Sequence, residues 1–503
     1  MSFAQTLACT VLGSDAVPVV VEASISRGLP CIQVIGLRSS EAGETRERVR
    51  CGLATIGIGV GELRRCVVSI APADLPKSGA ALDLPIALAI LAALGRLDPT
   101  RIARLASHGE LGLDGSLRAA DGVVAAAFAA LRAGAEEFIV SAGNARRAAL
   151  APTTVVAAPD LRSVVAHVMG LEPLDRADAA SLQPTASFDV DLADVRAQEA
   201  GVEAVVAAAA GGHNLLLFGA PGCGKTMLAQ RVPTILPPLD AHTALEVATI
   251  HDAAGLRERE LDARPPFRAP HHTISQQALV GGGGARPIVG EVTLAHRGVL
   301  FLDELPEYRP SALDALRQPL EDREVRIRRA GWVARYPCRT QLVAAMNLCR
   351  CGQWGATSGA PCSCPAASRA SYLQRVSGAI IDRFDVRVRM SLTGTIAGSA
   401  PTSDSADAGA RVAQARAAQL ERWSGRLNAE VAAVDDPRFE LTPAARSRAE
   451  RLARRAEGGR SQRAMVRVAR TLADLDARER VEEDDLVTAF DMCRSTPGGA
   501  VRD

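Results

Sequence analysis

Three short segments carry residues whose types and spacing suit phosphate chemistry. Gly219-Ala220-Pro221-Gly222-Cys223-Gly224-Lys225-Thr226 follows the apolar run Asn214-Leu215-Leu216-Leu217-Phe218 and leads into a helix from Met227. That is GxxxxGK[ST] between a strand and a helix. Its glycines let backbone N–H groups wrap a phosphate, and the positive end of the helix adds to the attraction. Lys225 is placed to reach the β- and γ-phosphates, and the Thr226 hydroxyl to ligate Mg²⁺. The bland alternative is a glycine-rich turn that matches by chance. Lysine usage argues against it: Lys77 and Lys225 are the two lysines of a chain that otherwise takes its positive charge from arginine.

The second segment, Gly298-Val299-Leu300-Phe301-Leu302-Asp303-Glu304, ends an apolar strand in two carboxylates. The C-terminal edge of a parallel sheet is where such folds place their ligands. Asp303 would hold Mg²⁺ through water, and Glu304 would polarise an attacking water as general base. The third segment is the strand Thr340-Gln341-Leu342-Val343-Ala344-Ala345-Met346, which ends in Asn347. Its amide could hold the same water near the γ-phosphate, or simply cap a turn. Together the three segments imply ATP and Mg²⁺ as cofactors and hydrolysis as the reaction.

A further cluster follows directly. Cys349-Arg350-Cys351 and Cys362-Ser363-Cys364 place four thiols in two CxC pairs. Four thiolates could close a tetrahedral Zn²⁺ site, although paired cysteines in structural zinc sites usually stand two to four residues apart. A reduced cysteine-rich loop is the other reading. The chain has 11 cysteines, an odd and otherwise scattered set, which suits reduced thiols better than a disulfide framework.

The elements that must position these groups can be outlined. At 503 residues the chain calls for several cores. Aromatic residues make up only 3%, so those cores are expected to pack with Ala, Val and Leu. Residues 1–170 mix strands (Val19 to Val21, Cys31 to Ile35, Val67 to Ile70) with a helix over Ser40 to Ile56 and a buried helix over Leu82 to Leu94. Residues 171–190 read as a linker, 191–392 as an α/β nucleotide-binding core, and 393–410 as a flexible Gly/Ser/Ala/Thr/Asp connector. Beyond it Arg411 to Arg426, Pro443 to Ala456, Ser461 to Arg478 and Glu482 to Cys493 carry helical periodicity, a small bundle over 411–503. The net charge of +1 gives no global basic field, so any polyanion site must be local. No apolar stretch reaches the ~20 residues of a membrane span and no basic segment precedes a hydrophobic one, so no membrane partner and a cytoplasmic location are expected.

Longer phrases carry a resemblance that covers almost the whole chain. Phe267-Arg268-Ala269-Pro270-His271-His272-Thr273-Ile274-Ser275, the glycines 281–284 and Leu294-Ala295-His296-Arg297, running on through Glu304 to Leu305-Pro306-Glu307, resemble the magnesium-chelatase-like AAA+ ATPases. Within them the likeness is to the YifB/ComM branch. The resemblance implies an AAA+ core with a C-terminal helical lid, Asn347 as the sensor at the γ-phosphate, and a homo-oligomeric ring, expected to be a hexamer. Arg383, in Ser377-Gly378-Ala379-Ile380-Ile381-Asp382-Arg383-Phe384-Asp385, matches the arginine that reaches the neighbouring subunit's ATP. Arg463, in Ser461-Gln462-Arg463-Ala464, matches the arginine that the lid supplies. A guanidinium at the γ-oxygens would lower the barrier to phosphoryl transfer; read from composition alone, both would be surface ion pairs. Ala71 to Ala81 and Gly109 to Gly115 resemble the α/β proteolytic fold of Lon protease, of the ribosomal S5 type. Ala81 then stands at the nucleophile position and Val124 at the lysine position, which implies a fold kept without the peptidase residues.

Glu324 to Arg339 reads as a hairpin, with Val325 and Ile327 alternating with Arg326 and Arg328 and a turn at Ala330-Gly331. In this branch such a hairpin points into the ring pore, with the glycine-rich 267–284 segment as a second mobile loop. Arg328, Arg329, Arg335 and Arg339 could contact phosphates there, and Trp332 or Tyr336 could stack on bases. Solvated salt bridges are the plain alternative. The leading expectation is a DNA motor, ComM-like, driving branch migration of junctions in recombination during natural transformation. A protein-remodelling or metal-chelatase-type ATPase acting on a partner protein is the runner-up. A nucleotide binder without turnover is disfavoured because Glu304 and Arg383 are both present.

Overall fold

The computed structural model describes residues 2–77, 79–180, 188–256, 263–283, 288–329, 332–355, 361–391, 403–455 and 459–497. Side chains are described for these residues except Arg329 and Trp332. Ser78, the linker residues 181–187, Gly284, the hairpin turn Ala330-Gly331 and the connector residues 393–402 lie outside the described set.

The first part of the chain builds a seven-stranded sheet in the order Cys31–Ile35, Arg65–Ala71, Asp15–Ser26, Ser2–Leu12, Leu105–His108, Glu137–Ser141, Val155–Ala158. Its spine is an antiparallel hairpin in register from Ser2↔Ile25 to Leu12↔Asp15. The first strand is absent from the sequence expectation. Thr6 and Thr10 interrupt its apolar pattern, yet both are buried, because their hydroxyls donate to the Leu105 and Ile102 carbonyls and to the Pro76 carbonyl at 2.9 Å. The helix Asp83–Ala93 is buried all round, as its unbroken apolar run requires. Its first residue is a carboxylate with no exposed surface, held by the Arg48 guanidinium at 2.5 and 3.1 Å.

Residues 171–180 are not a free linker. Ala177 N–H donates to the Val155 carbonyl at 2.9 Å, and Ala180 N–H to the Arg146 carbonyl at 2.9 Å, so this stretch extends the edge of the first sheet. Backbone hydrogen bonding decides this, and composition does not report it.

The second sheet is wholly parallel, in the order Phe267–Arg268, Val299–Leu302, Gln341–Met346, Leu215–Gly219, Val386–Met390. Behind it lies the helix Glu199–Gly211, whose small residues let neighbouring helices approach closely. Those neighbours belong to a C-terminal bundle: Ser405–Arg422, Pro443–Ala453, Gly459–Leu475 and Glu483–Arg494. The first helix starts inside the expected connector, at Ser405. The Asp404 carboxylate caps it by accepting from Asp407 N–H at 2.8 Å, a signal that the small-residue composition hid. The bundle shares one core with the parallel sheet, from Leu215 and Leu217 through Val468 to Phe490.

The two α/β units meet. Helix Ala241–Ala253 packs on helix Val123–Arg132, and its Asp252 carboxylate accepts the Val124 N–H at 2.9 Å. Asp252 also stands 3.5 Å from Arg147. On the other side the Gly13 turn abuts the hairpin Glu324–Arg329/Trp332–Pro337: a Cβ at Gly13 would lie 2.7 Å from the Arg335 carbonyl oxygen.

Candidate active site

The strands Leu215–Gly219, Val299–Leu302 and Gln341–Met346 lie side by side, so their C-terminal ends share one edge. There the Thr226 hydroxyl donates to Asp303 Oδ2 at 2.8 Å. Lys225 Nζ donates to Asn347 Oδ1 at 3.1 Å and to the Gly219 and Ala220 carbonyls at 3.0 and 2.7 Å. Four of the residues singled out on three separate segments thus touch directly. Burial pushes the Lys225 ammonium below the ordinary lysine value, while the Cys223 thiol and Asp303 pull it back up.

The loop needs its glycines. Gly222 and Gly224 have φ of 75° and 86°, and a Cβ at Gly219 would lie 2.3 Å from the Met390 carbonyl oxygen. Ala220 and Pro221 complete the turn, and Cys223 is buried beneath it. Thr226 and Asp303 are close enough to share one Mg²⁺, and both are hard oxygen donors, so the residues present fit that ion.

Glu304 takes φ of 52°, in the left-handed region where a side chain is strained. Its carboxylate stands 3.2 Å from His272 Nδ1, on the histidine-rich segment. Tyr308 fixes that segment by donating its hydroxyl to the Pro270 carbonyl at 2.6 Å, and burial raises the Tyr308 phenol above its ordinary value. The His272–Glu304 contact was not foreseen in the sequence, because nothing in the spacing links residues so far apart.

Arg383 is not free to reach outward in this chain: its guanidinium donates to Glu321 Oε2 at 2.6 Å. Arg463 is exposed on helix Gly459–Leu475, which packs behind the phosphate-binding strand through the His213 Nε2···Thr471 Oγ1 contact at 2.9 Å. Neither arginine is brought to Lys225 by a direct contact among the described residues.

The hairpin pairs Glu324↔Pro337 through Arg329↔Trp332. Val325, Ile327, Ala334 and Tyr336 are buried, while Arg326, Arg328, Val333 and Arg335 are exposed. Tyr336 is only 3% exposed, so it is unavailable for stacking on a base, contrary to the sequence expectation. The alternation explains why: Tyr336 sits opposite Val325, on the core face. Arg339 lies beyond the ladder and is exposed. The side chains of Arg329 and Trp332 are outside the described set.

The four cysteines converge. Cys349 Sγ lies 3.4 Å from Cys351 Sγ and 3.6 Å from Cys362 Sγ, and all four sulfurs lie within 4.8 Å of one another. The Gln353 N–H and the neighbouring thiols hold the Cys351 thiol below its ordinary range.

Comparison with known proteins shows the family of the chain. The model of magnesium chelatase subunit ChlI matches residues 191–396, that of the ChlI C-terminal region matches 402–492, and a further ChlI model matches 21–144. YifB of Salmonella typhimurium is 37% identical over 97% of this chain and 96% of its own. Competence protein ComM of Haemophilus influenzae is 36% identical over 97% of each. The chain belongs to the magnesium-chelatase-like YifB/ComM family of AAA+ ATPases. A partial match to Lon protease 2 of Bacillus subtilis, 33% identical over 31% of this chain, accompanies the Lon-like α/β fold. ATP and Mg²⁺ follow from that family. Among the described residues no helix is long and apolar enough to cross a membrane.

Proposed function

We propose that this chain is the subunit of a homo-oligomeric, cytoplasmic ATPase ring, a hexamer, that converts ATP hydrolysis into movement of DNA, with branched DNA as substrate. The observation that carries the DNA reading is the exposed face of the hairpin. Arg326 and Arg335 stand directly opposite each other across the ladder, with Arg328 next along the same face. Like charges directly opposed on a sheet destabilise it unless an anion lies over them. Glu324 supplies part of that at Arg326, at 2.5 Å, and leaves Arg328 and Arg335 facing solvent. A phosphate backbone is the anion that such a row fits. That one relative is a competence protein is in keeping with this reading.

In this reading Glu304 is the general base and Asn347 positions the attacked phosphate and the water. Lys225 with the loop N–H groups binds the β- and γ-phosphates. Thr226 and Asp303 would hold Mg²⁺, which supplies charge neutralisation on the phosphates when bound. Ring assembly exchanges Glu321 for the neighbour's γ-phosphate as the partner of Arg383, which makes turnover depend on assembly. Arg463 approaches the same phosphate from the lid. The cysteine cluster is read as a Zn²⁺ site. Tetrahedral Zn–S bonds of about 2.3 Å place sulfurs about 3.8 Å apart, and the separations of 3.4 and 3.6 Å fit that spacing.

The test is ATPase rate with single-stranded, duplex and four-way DNA, alongside DNA affinity measured against salt. Four-way DNA is expected to stimulate turnover most. Arg328→Ala/Arg335→Ala is expected to lower the salt slope by about 0.9 for each phosphate no longer neutralised. A rate indifferent to every DNA refutes the DNA reading and turns the search to a protein substrate.

A further inference from the structure

The segment that carries the cysteines meets the phosphate-binding loop at Pro221 and Lys225. Gly352, between the two CxC pairs, has φ of 80°, and a Cβ built on it would lie 2.4 Å from Pro221 Cγ and 2.9 Å from Pro221 Cδ. Pro221 is part of the phosphate-binding turn itself, so the two loops are in contact with no room for a side chain between them. Asn347, which takes a hydrogen bond from Lys225 Nζ at 3.1 Å, stands two residues before Cys349 on the same strand exit. On the far side Arg389 donates to the Gly355 carbonyl at 3.4 Å. Arg389 belongs to the strand that pairs with the phosphate-binding strand, opposite Phe218.

Leu348, 1% exposed, and Trp354 tie the first half of the cysteine loop to the core. Residues 347–355 and 361–365 contain no helix or strand. Cys349 is buried, whereas Cys351 is exposed and Cys362 and Cys364 are half-buried. Backbone N–H groups reach two of the sulfurs, Trp354 to Cys349 Sγ at 3.2 Å and Gln353 to Cys351, while the Arg369 guanidinium donates to the Cys364 carbonyl at 2.9 Å and lies 4.9 Å over the Trp354 ring. Residues 361–365 bury no side chain of their own, so the order of that half of the segment rests on what joins the four sulfurs. Ionised thiols this close repel one another, and a soft divalent cation turns that repulsion into four bonds.

We propose that a tetrathiolate-bound divalent metal, of the Zn²⁺ class, staples Gly352 against Pro221 and so fixes the phosphate-binding loop, which makes metal occupancy a determinant of nucleotide affinity. The inference rests on the zinc reading of the cluster and adds a consequence for the nucleotide site. No covalent or redox step is involved. Cys349, Cys351, Cys362 and Cys364 would hold the metal as thiolates, their protons passing to solvent.

The experiment uses the full chain in excess Mg²⁺. Metal per chain is measured by elemental analysis, Co²⁺-loaded protein is examined for thiolate-to-metal absorption, and affinity for a fluorescent ATP analogue is read in parallel. Wild type is expected to hold one metal with a tetrahedral thiolate spectrum. Cys362→Ser/Cys364→Ser alters the pair remote from Asn347 and is expected to lose the metal. Its nucleotide affinity should fall about tenfold, the worth of one charge-assisted hydrogen bond to phosphate. Gly352→Ala should keep the metal and weaken nucleotide by a similar factor, because its methyl displaces Pro221. Cys31→Ser, an exposed thiol remote from the loop, should leave both readings at wild-type values. Should the double variant fold poorly, stripping zinc from wild type with 1,10-phenanthroline, which spares Mg²⁺ and modifies no thiol, and restoring it with added zinc should lower and recover affinity. Metal bound by wild type with affinity unchanged on stripping overturns the coupling and leaves the zinc site standing. Absence of both metal and thiolate spectrum overturns the two together.

Discussion

Asp252 offers the sharpest test of how the two α/β units are joined. It ends helix Ala241–Ala253 in the ATPase core, and its carboxylate, 1% exposed, accepts the N–H of Val124, itself fully buried in the Lon-like domain. Asp252→Ala orphans that N–H, at a cost of about 1–3 kcal/mol. It also takes the counter-charge from Arg147, which is 14% exposed and 3.5 Å away, worth about 1 kcal/mol after solvent screening. Burial raises the Asp252 carboxyl above its ordinary value, so deleting it returns part of this. The net is about 2–3 kcal/mol, which is about 30–150-fold in an opening equilibrium. Hydrogen exchange, read on the peptide covering helix Val123–Arg132, should quicken by that factor. Asp252→Asn keeps an acceptor for Val124 and loses only the charge, so its effect should be about 1 kcal/mol, roughly fivefold. Wild-type exchange in the alanine variant, or an asparagine variant as fast as alanine, would refute the docking argument.

Three further outcomes follow from the same structure. Glu304→Gln is expected to lower turnover by about 10²–10⁴ while nucleotide affinity, measured by fluorescence titration, holds; undiminished turnover removes Glu304 as the base. Arg470 has no exposed surface, bonds Asp474 at 3.1 Å and donates to the Arg478 and Glu479 carbonyls, so Arg470→Ala should cost the lid about 3–5 kcal/mol in denaturant unfolding. His296 is buried, accepts the Arg339 N–H at Nδ1, and is pushed down to about 4, first by burial and then by Arg297. The unfolded chain therefore takes up a proton that the folded chain refuses as pH falls from 6.5 towards 4. Stability should drop across that window by about 3 kcal/mol, and unfolding curves of His296→Gln should be flatter there.

The geometry of the glycine-rich loop was legible because it is local. Gly222, Gly224, Lys225 and Thr226 lie within one turn, and backbone freedom and charge type suffice to place them. Asp303 and Asn347 were legible because each ends an apolar strand, and parallel strands deliver their ends to one edge. The buried helix Asp83–Ala93 was legible for a similar reason, since an unbroken apolar run has few places to go. The strand Ser2–Leu12 was not, because its threonines count as polar until partners 66 to 99 residues away satisfy them. Tyr336 was misread for the converse reason: an aromatic among arginines suggests an exposed surface, and only the register against Val325 turns it to the core.

What the sequence by itself determined is therefore the set of groups that act through nearest neighbours and the period of the elements that carry them. The tertiary structure alone decided the long-range pairings: His272 on Glu304, Glu321 on Arg383, Asp252 on Val124 and Gly352 on Pro221. Each of those contacts depends on how two separate elements are packed, and no spacing along the chain encodes a distance of that kind.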